Sequence, residues 1–221
     1  MYASISVKPL SDALFMINLQ KFADTPKKSD PYPYLIIEDA LDLERLSALL
    51  ADFPEISHPG SVPLEAVEGG PVFKELIDEL NGDAFRKAVE EKFEMDLVGK
   101  PIMITLRGVM REKDGRIHTD SKSKVITVLI YFNEGWEDGA GKLRLLRNGT
   151  DIEDYVEEIP PSAGTMLVFK VTGNCWHGHK PVLGKRLSLQ MNYMAGGAAK
   201  EKHEFFHRLS AKIKNLFSDK S

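Results

Sequence analysis

The apolar positions along the chain follow two periods, with the change near Pro101. Before it they recur every three or four residues, as on one face of a helix; after it they fall in short runs suited to strands. Tyr34-Leu35-Ile36-Ile37 is the exception, a brief apolar run that predicts a strand in the helical half. Asp39 follows as an N-cap for a helix whose Leu43, Leu46, Leu50 and Phe53 share a stripe, and Pro54 stops it. Beyond a Pro- and Gly-rich loop, His58 to Pro71, the residues Phe73, Leu76, Ile77 and Leu80 predict a second amphipathic helix closed by Asn81-Gly82. Asp83 then caps a third, with Phe85, Val89 and Phe93 on one face. Ahead of these elements Met1 to Pro33 is weakly patterned, and Pro26 to Pro31 reads as an exposed connection.

Ile102 to Leu106, Val125 to Phe132, Leu143 to Leu146, Thr165 to Phe169 and Leu187 to Tyr193 are short runs of β-branched or bulky apolar residues, parted by Gly, Pro, Asn and Asp. Strands with no helices between them predict an antiparallel sandwich or jelly roll. The expected fold class is therefore α+β with a mainly β core, the earlier helices packed on one outer face. The expected organisation is an extension over residues 1–33, one domain over 34–195 and a C-terminal amphipathic helix over 196–221. Within the domain, 34–100 is the helical part and 101–195 the jelly-roll core. Phe205, Leu209, Ile213 and Leu216 keep helical spacing in the tail.

Composition narrows the chemistry. The 221 residues are 43% apolar, enough to fill one large core. A single cysteine, Cys175, rules out an internal disulfide, a four-thiolate zinc site and an iron–sulfur cluster, so any metal must be held by His and carboxylate. It also points to a reducing compartment, and a cytoplasmic location is expected. A net charge of -4 argues against a nucleic-acid partner. No apolar run reaches the length of a membrane span and the first twenty residues lack a secretion signal, so no membrane partner is expected. The expected partner is a small-molecule or peptidyl substrate, for a monomer or homodimer.

The residues that carry chemistry lie in the β half. His118-Thr119-Asp120 sets an imidazole and a carboxylate two residues apart, so an extended backbone sends both to one face. By itself such a pair is as readily a solvated loop pair or a buried ion pair. Downstream come Trp176-His177-Gly178-His179, and then Arg186 and Ser188. Two imidazoles and one carboxylate make the triad that holds Fe(II) with coordination positions left open. Arg186 and Ser188, on one strand face, offer a planar fork and a hydroxyl to a carboxylate.

These residues, with the stretches around them, resemble the Fe(II)- and 2-oxoglutarate-dependent oxygenases, particularly the prolyl 4-hydroxylase-like branch. The likeness runs from about Arg107 to Tyr193. It includes Gly115-Arg116-Ile117-His118-Thr119-Asp120, Val128 to Asn133 followed by Trp136 and Gly141 to Leu145, Pro161 to Phe169, and His177 to Val182. The resemblance implies a double-stranded β-helix, a jelly roll of the kind the strand spacing predicts. It implies that His118, Asp120 and His177 bind Fe(II), that Arg186 pairs with the distal carboxylate of 2-oxoglutarate, and that Ser188 and Tyr131 add hydroxyl contacts to that cosubstrate. It also implies dioxygen as second cosubstrate and hydroxylation of a C–H bond, of a prolyl residue or a small molecule, with release of succinate and carbon dioxide. Asp120 in place of Ala or Gly argues against the halogenating variants.

His177 and His179 would project to the same side of an extended segment; the spacing to Arg186 and the following Pro181-Val182 favour His177, with His179 as a neighbour. His179 stands where the family usually has an apolar residue, and Arg116 and Ile117 replace the usual aromatic ahead of the first ligand. His58 lies in the Pro/Gly loop, and His203 with His207 fits a polar helix face. Between Arg107 and Lys124, six basic residues face Glu112, Asp114 and Asp120, either an ordinary solvated run or a rim that attracts an anionic substrate. Two other classes remain: a cupin-type jelly roll binding a metal with a sugar or small acid without oxygen chemistry, which has no use for Arg186 and Ser188, and an interaction protein presenting the tail helix.

Overall fold

The computed structural model describes residues 15–136 and 139–196; the expected C-terminal helix lies outside them. The apolar runs become strands β1 (Tyr34–Ile37), β2 (Val62–Pro63), β3 (Ile102–Met110), β4 (Lys124–Tyr131), β5 (Leu143–Leu146), β6 (Tyr155–Ile159), β7 (Met166–Lys170), β8 (His177–Gly178) and β9 (Gly184–Met194). Six form an antiparallel sheet in the order β1-β7-β4-β9-β3-β2, and three form a second in the order β6-β5-β8.

Nearly continuous apolar runs such as Val125 to Phe132, broken only by Thr127, arise because the larger sheet is covered on both faces. Ile126, Val128 and Ile130 of β4, with Met166, Val168, Leu189 and Met191, pack into a core beneath four helices: α1 (Leu19–Asp24), α2 (Leu43–Asp52), α3 (Pro71–Asn81) and α4 (Asp83–Phe93). The alternate positions face the smaller sheet, where Tyr131, Leu167 and Phe169 meet Leu143, Leu145 and Ile159. The expected jelly-roll core with helices on one outer face is thus present, and the space between the sheets is where inward polar side chains of β3, β4 and β9 must go. Among the described residues no helix is long and apolar enough to cross a membrane.

Local details depart from the pattern. Asp42, not Asp39, caps α2, its Oδ1 accepting from Glu44 N at 2.9 Å, while Asp39 takes a left-handed φ of 48° and pairs with Lys21. Leu43 turns to solvent, so the buried stripe begins at Leu46. Gly82 precedes α4 as its cap with extended backbone, and Asp83 lies inside the first turn, ion-paired with Arg86 at 3.0 Å. The opening segment is not featureless: Met16, Ile17 and Phe22 are buried, and the Glu79 carboxylate accepts from the backbone of Met16 at 2.6 Å and Ile17 at 2.8 Å. Strands β2, β6 and β8 carry no alternation that predicts them.

Candidate active site

Strand β8 is only two residues long, yet it fixes the geometry of the site. It pairs with β5 through Leu145 and His177, and on its other side His118 and His177 exchange backbone hydrogen bonds of 3.0 and 2.9 Å. That register brings their rings to 4.3 Å between centroids. The approach demands glycine on both chains: a Cβ on Gly178 would lie 2.9 Å from the Gly115 carbonyl, and one on Gly115, at φ +88°, would lie 2.4 Å from the His179 ring.

His118, Asp120 and His177 each offer a ligand atom, and these atoms lie within 4.8 Å of one another. Each imidazole is oriented from behind. His118 Nδ1 donates to the Arg116 carbonyl and His177 Nδ1 to the Cys175 carbonyl, both at 2.8 Å, which leaves Nε2 as the free lone pair. Burial pushes the His177 imidazole down to about 4, with His118 adding to the depression, so at neutral pH it is uncharged and able to ligate. Asp120 is 9% exposed; burial raises its carboxyl, but the Lys124 ammonium, His177 and Thr127 outweigh it and hold the group below the usual range. Two imidazoles and an ionised carboxylate suit a divalent cation such as Fe(II). His179, also buried, is not part of this cluster among the described residues; its Nδ1 donates to the Lys180 carbonyl at 2.8 Å.

Behind Asp120 runs a chain that the sequence did not reveal. Gln190 donates to Asn192 at 3.2 Å, Asn192 to Thr127 Oγ1 at 2.8 Å, and Thr127 to Asp120 Oδ2, while Lys124 holds Oδ1 at 2.9 Å. Asn192 and Thr127 are register partners on β9 and β4, both buried. Thr127→Val keeps the shape and removes the donor, so metal affinity is expected to fall about 10–100-fold, measurable by calorimetric titration with Mn(II). An affinity equal to the unaltered protein would show the chain to be idle.

Arg186 and Ser188 lie on the inward face of β9, and Ser188 stands opposite Tyr131 of β4. All three are buried. The Arg186 guanidinium stacks over the Tyr131 ring at 5.0 Å, donates from Nε to the Gly141 carbonyl at 2.9 Å, and reaches the Tyr131 hydroxyl at 3.4 Å. Among the described residues no carboxylate pairs with it, so a buried cation awaits an anion. Here too glycine is required, since a Cβ on Gly141, at φ +74°, would lie 2.9 Å from both Trp136 and Val182.

His179 also carries a depressed imidazole, pushed down to about 4 by burial and then by Arg186. Between about pH 6.5 and 4 the unfolded chain binds a proton at His177 and at His179 that the folded chain excludes, so acid destabilises the metal-free protein. Each contributes about 2–3 kcal/mol by pH 4. His179→Gln is expected to flatten the loss of stability between pH 7 and 4.5, read by denaturant unfolding; parallel pH profiles would contradict it.

Residues 108–194 match the model of the 2OG-Fe(II) oxygenase superfamily. Over this segment the chain is similar to that superfamily. The likeness is to oxygenases named for Fe(II) and 2-oxoglutarate. No curated protein matches the sequence. Among solved structures, a Phytophthora capsici prolyl 4-hydroxylase is 16% identical over 82% of this chain and 67% of its own, with a TM-score of 0.56. The viral collagen prolyl hydroxylase of Paramecium Bursaria Chlorella virus-1, in complex with 2-oxoglutarate, is 15% identical over 76% of this chain and 98% of its own, with a TM-score of 0.52. An oxidoreductase of the 2OG-Fe(II) oxygenase family from Burkholderia pseudomallei is 14% identical over 73% of this chain and 84% of its own, with a TM-score of 0.50. These likenesses establish the fold as the double-stranded β-helix.

Proposed function

We propose that the protein is a dioxygenase that hydroxylates a C–H bond of a small molecule or prolyl residue, converting 2-oxoglutarate to succinate and carbon dioxide. The observation that carries this reading is a three-ligand cluster in the same fold as a buried Arg186 that has no carboxylate partner among the described residues and is flanked by two inward hydroxyls. His118, Asp120 and His177 would hold Fe(II), which with 2-oxoglutarate and dioxygen supplies the oxidising chemistry when bound. Arg186 receives the distal carboxylate of 2-oxoglutarate with its planar fork, and Tyr131 and Ser188 offer hydroxyls to the same group. Burial holds the Tyr131 phenol above its ordinary range, so it remains a donor. Phe169, 5.3 Å from the His177 ring, and Leu145 wall the cluster with apolar surface and limit water there. The protein's own contribution is geometry, charge and dryness.

The clamp at Arg186 separates this reading from a metal-binding jelly roll without oxygen chemistry. Anaerobic addition of Fe(II) and 2-oxoglutarate should give the weak visible charge-transfer band of the chelate, and air should then release succinate. Iron bound to folded protein with no band would overturn the proposal.

A further inference from the structure

The basic run between Arg107 and Lys124 is not one solvated loop. Lys113, Arg116 and Lys122 are exposed, Arg111 is engaged by Asp114 and Lys124 by Asp120, but Arg107 turns inward. Leu106 packs under the helices, so the next residue of β3 faces the space between the sheets. There Arg107 stands opposite Ser188, which stands opposite Tyr131: three strands place these side chains in one row beside Arg186.

Among the described residues its surroundings leave it without an anion. The charged groups it senses are Asp114, Arg186, Arg111 and Asp120. Asp114 is committed to Arg111, accepting from Nη2 at 3.1 Å, Nε at 3.3 Å and the backbone N–H at 2.8 Å. Asp120 is committed to Lys124 and Thr127. Among the described residues Arg107 makes neither an ion pair nor a hydrogen bond, and burial presses its guanidinium below the ordinary range. A half-buried fork of five donors with no acceptor among the described residues is open to an incoming anion.

We infer that Arg107 is a second carboxylate-binding position in the site, selecting a substrate that carries a carboxylate group. The inference rests on the proposed function, because under that reading both carboxylates of 2-oxoglutarate already have partners, one at Arg186 and one at the metal. The remaining fork then serves the molecule to be oxidised and turns its reacting carbon toward the metal.

The test uses the protein loaded with Mn(II) and saturating 2-oxoglutarate, with acetate as probe and acetamide as its neutral counterpart. Mn(II) should speed relaxation of the acetate methyl protons and leave acetamide unaffected. Arg107→Gln should weaken acetate at least fivefold while the 2-oxoglutarate Kd moves less than twofold, and Arg107→Lys, which keeps the cation, should retain part of the effect. Equal acetate binding in Arg107→Gln, or none in the unaltered protein, overturns the inference. So does a loss of 2-oxoglutarate affinity as large as that of acetate, since the fork would then hold the cosubstrate. A normal charge-transfer band beside any of these failures leaves the proposed function standing.

Discussion

Replacing His177 with alanine is expected to weaken metal binding well beyond a hundredfold, whereas His179→Ala should change it less than threefold. The two residues are near-equals by local criteria: both are buried, both have imidazoles depressed to about 4, and both donate Nδ1 to a carbonyl. What separates them is register. His177 shares a bridge with His118 and a ladder position with Leu145, so its ring lies against His118, whereas His179 folds back against Gly115. Losing a group that merely orients a ligand costs about 10–100-fold, and losing one of three direct ligands must cost more. Titration of Mn(II) into the two variants, followed by calorimetry, decides the matter. If His179→Ala lost the metal and His177→Ala kept it, the ligand assignment would fall and the cosubstrate geometry with it.

The same contrast shows what the sequence could convey. A run such as Leu187 to Tyr193 announces a strand by alternation: Leu187, Leu189, Met191 and Tyr193 pack toward the helices, while Ser188, Gln190 and Asn192 take the other face. Strand β6 gave no such signal: Glu157 and Glu158 interrupt it, and their partners, Lys28 and Tyr34 for the first and Arg144 for the second, come from remote segments. Strand β8 is too short to have a period at all. The candidate metal cluster could be picked out because His-x-Asp and the later histidine are chemically distinctive, and the resemblance supplied the pairing. Thr127, Asn192 and Gln190 were not, since a hydroxyl and two amides in apolar strands look like ordinary polar interruptions until sheet register lines them up behind Asp120. Arg107 was hidden differently. Counting charges placed it with its neighbours in the chain, and only the alternation of β3 turns it toward Ser188 in the space between the sheets.

Arg186→Ala should raise the 2-oxoglutarate Kd steeply and leave metal affinity within about threefold. Arg186 makes no contact with His118, Asp120 or His177 among the bonds described; its hydrogen bonds go to Gly141 and Tyr131. Breaking one partner of a buried, hydrogen-bonded charge pair costs about 2–5 kcal/mol, and each 1.4 kcal/mol is about tenfold, so the expected loss lies between about 30-fold and a few thousandfold. Arg186→Lys should fall between the two, since an ammonium keeps the charge but not the bidentate fork. The free protein should respond in the opposite sense. With no carboxylate beside it among the described residues, Arg186 is a desolvated cation that the fold tolerates rather than needs, and truncating it forfeits the hydrogen bond to Gly141 and the long one to Tyr131 while removing that charge. Stability to denaturant without ligand is therefore expected to hold or rise in Arg186→Ala, even as cosubstrate binding collapses. A variant that unfolded more easily yet bound 2-oxoglutarate normally would mark Arg186 as a structural residue and remove the clamp from the site.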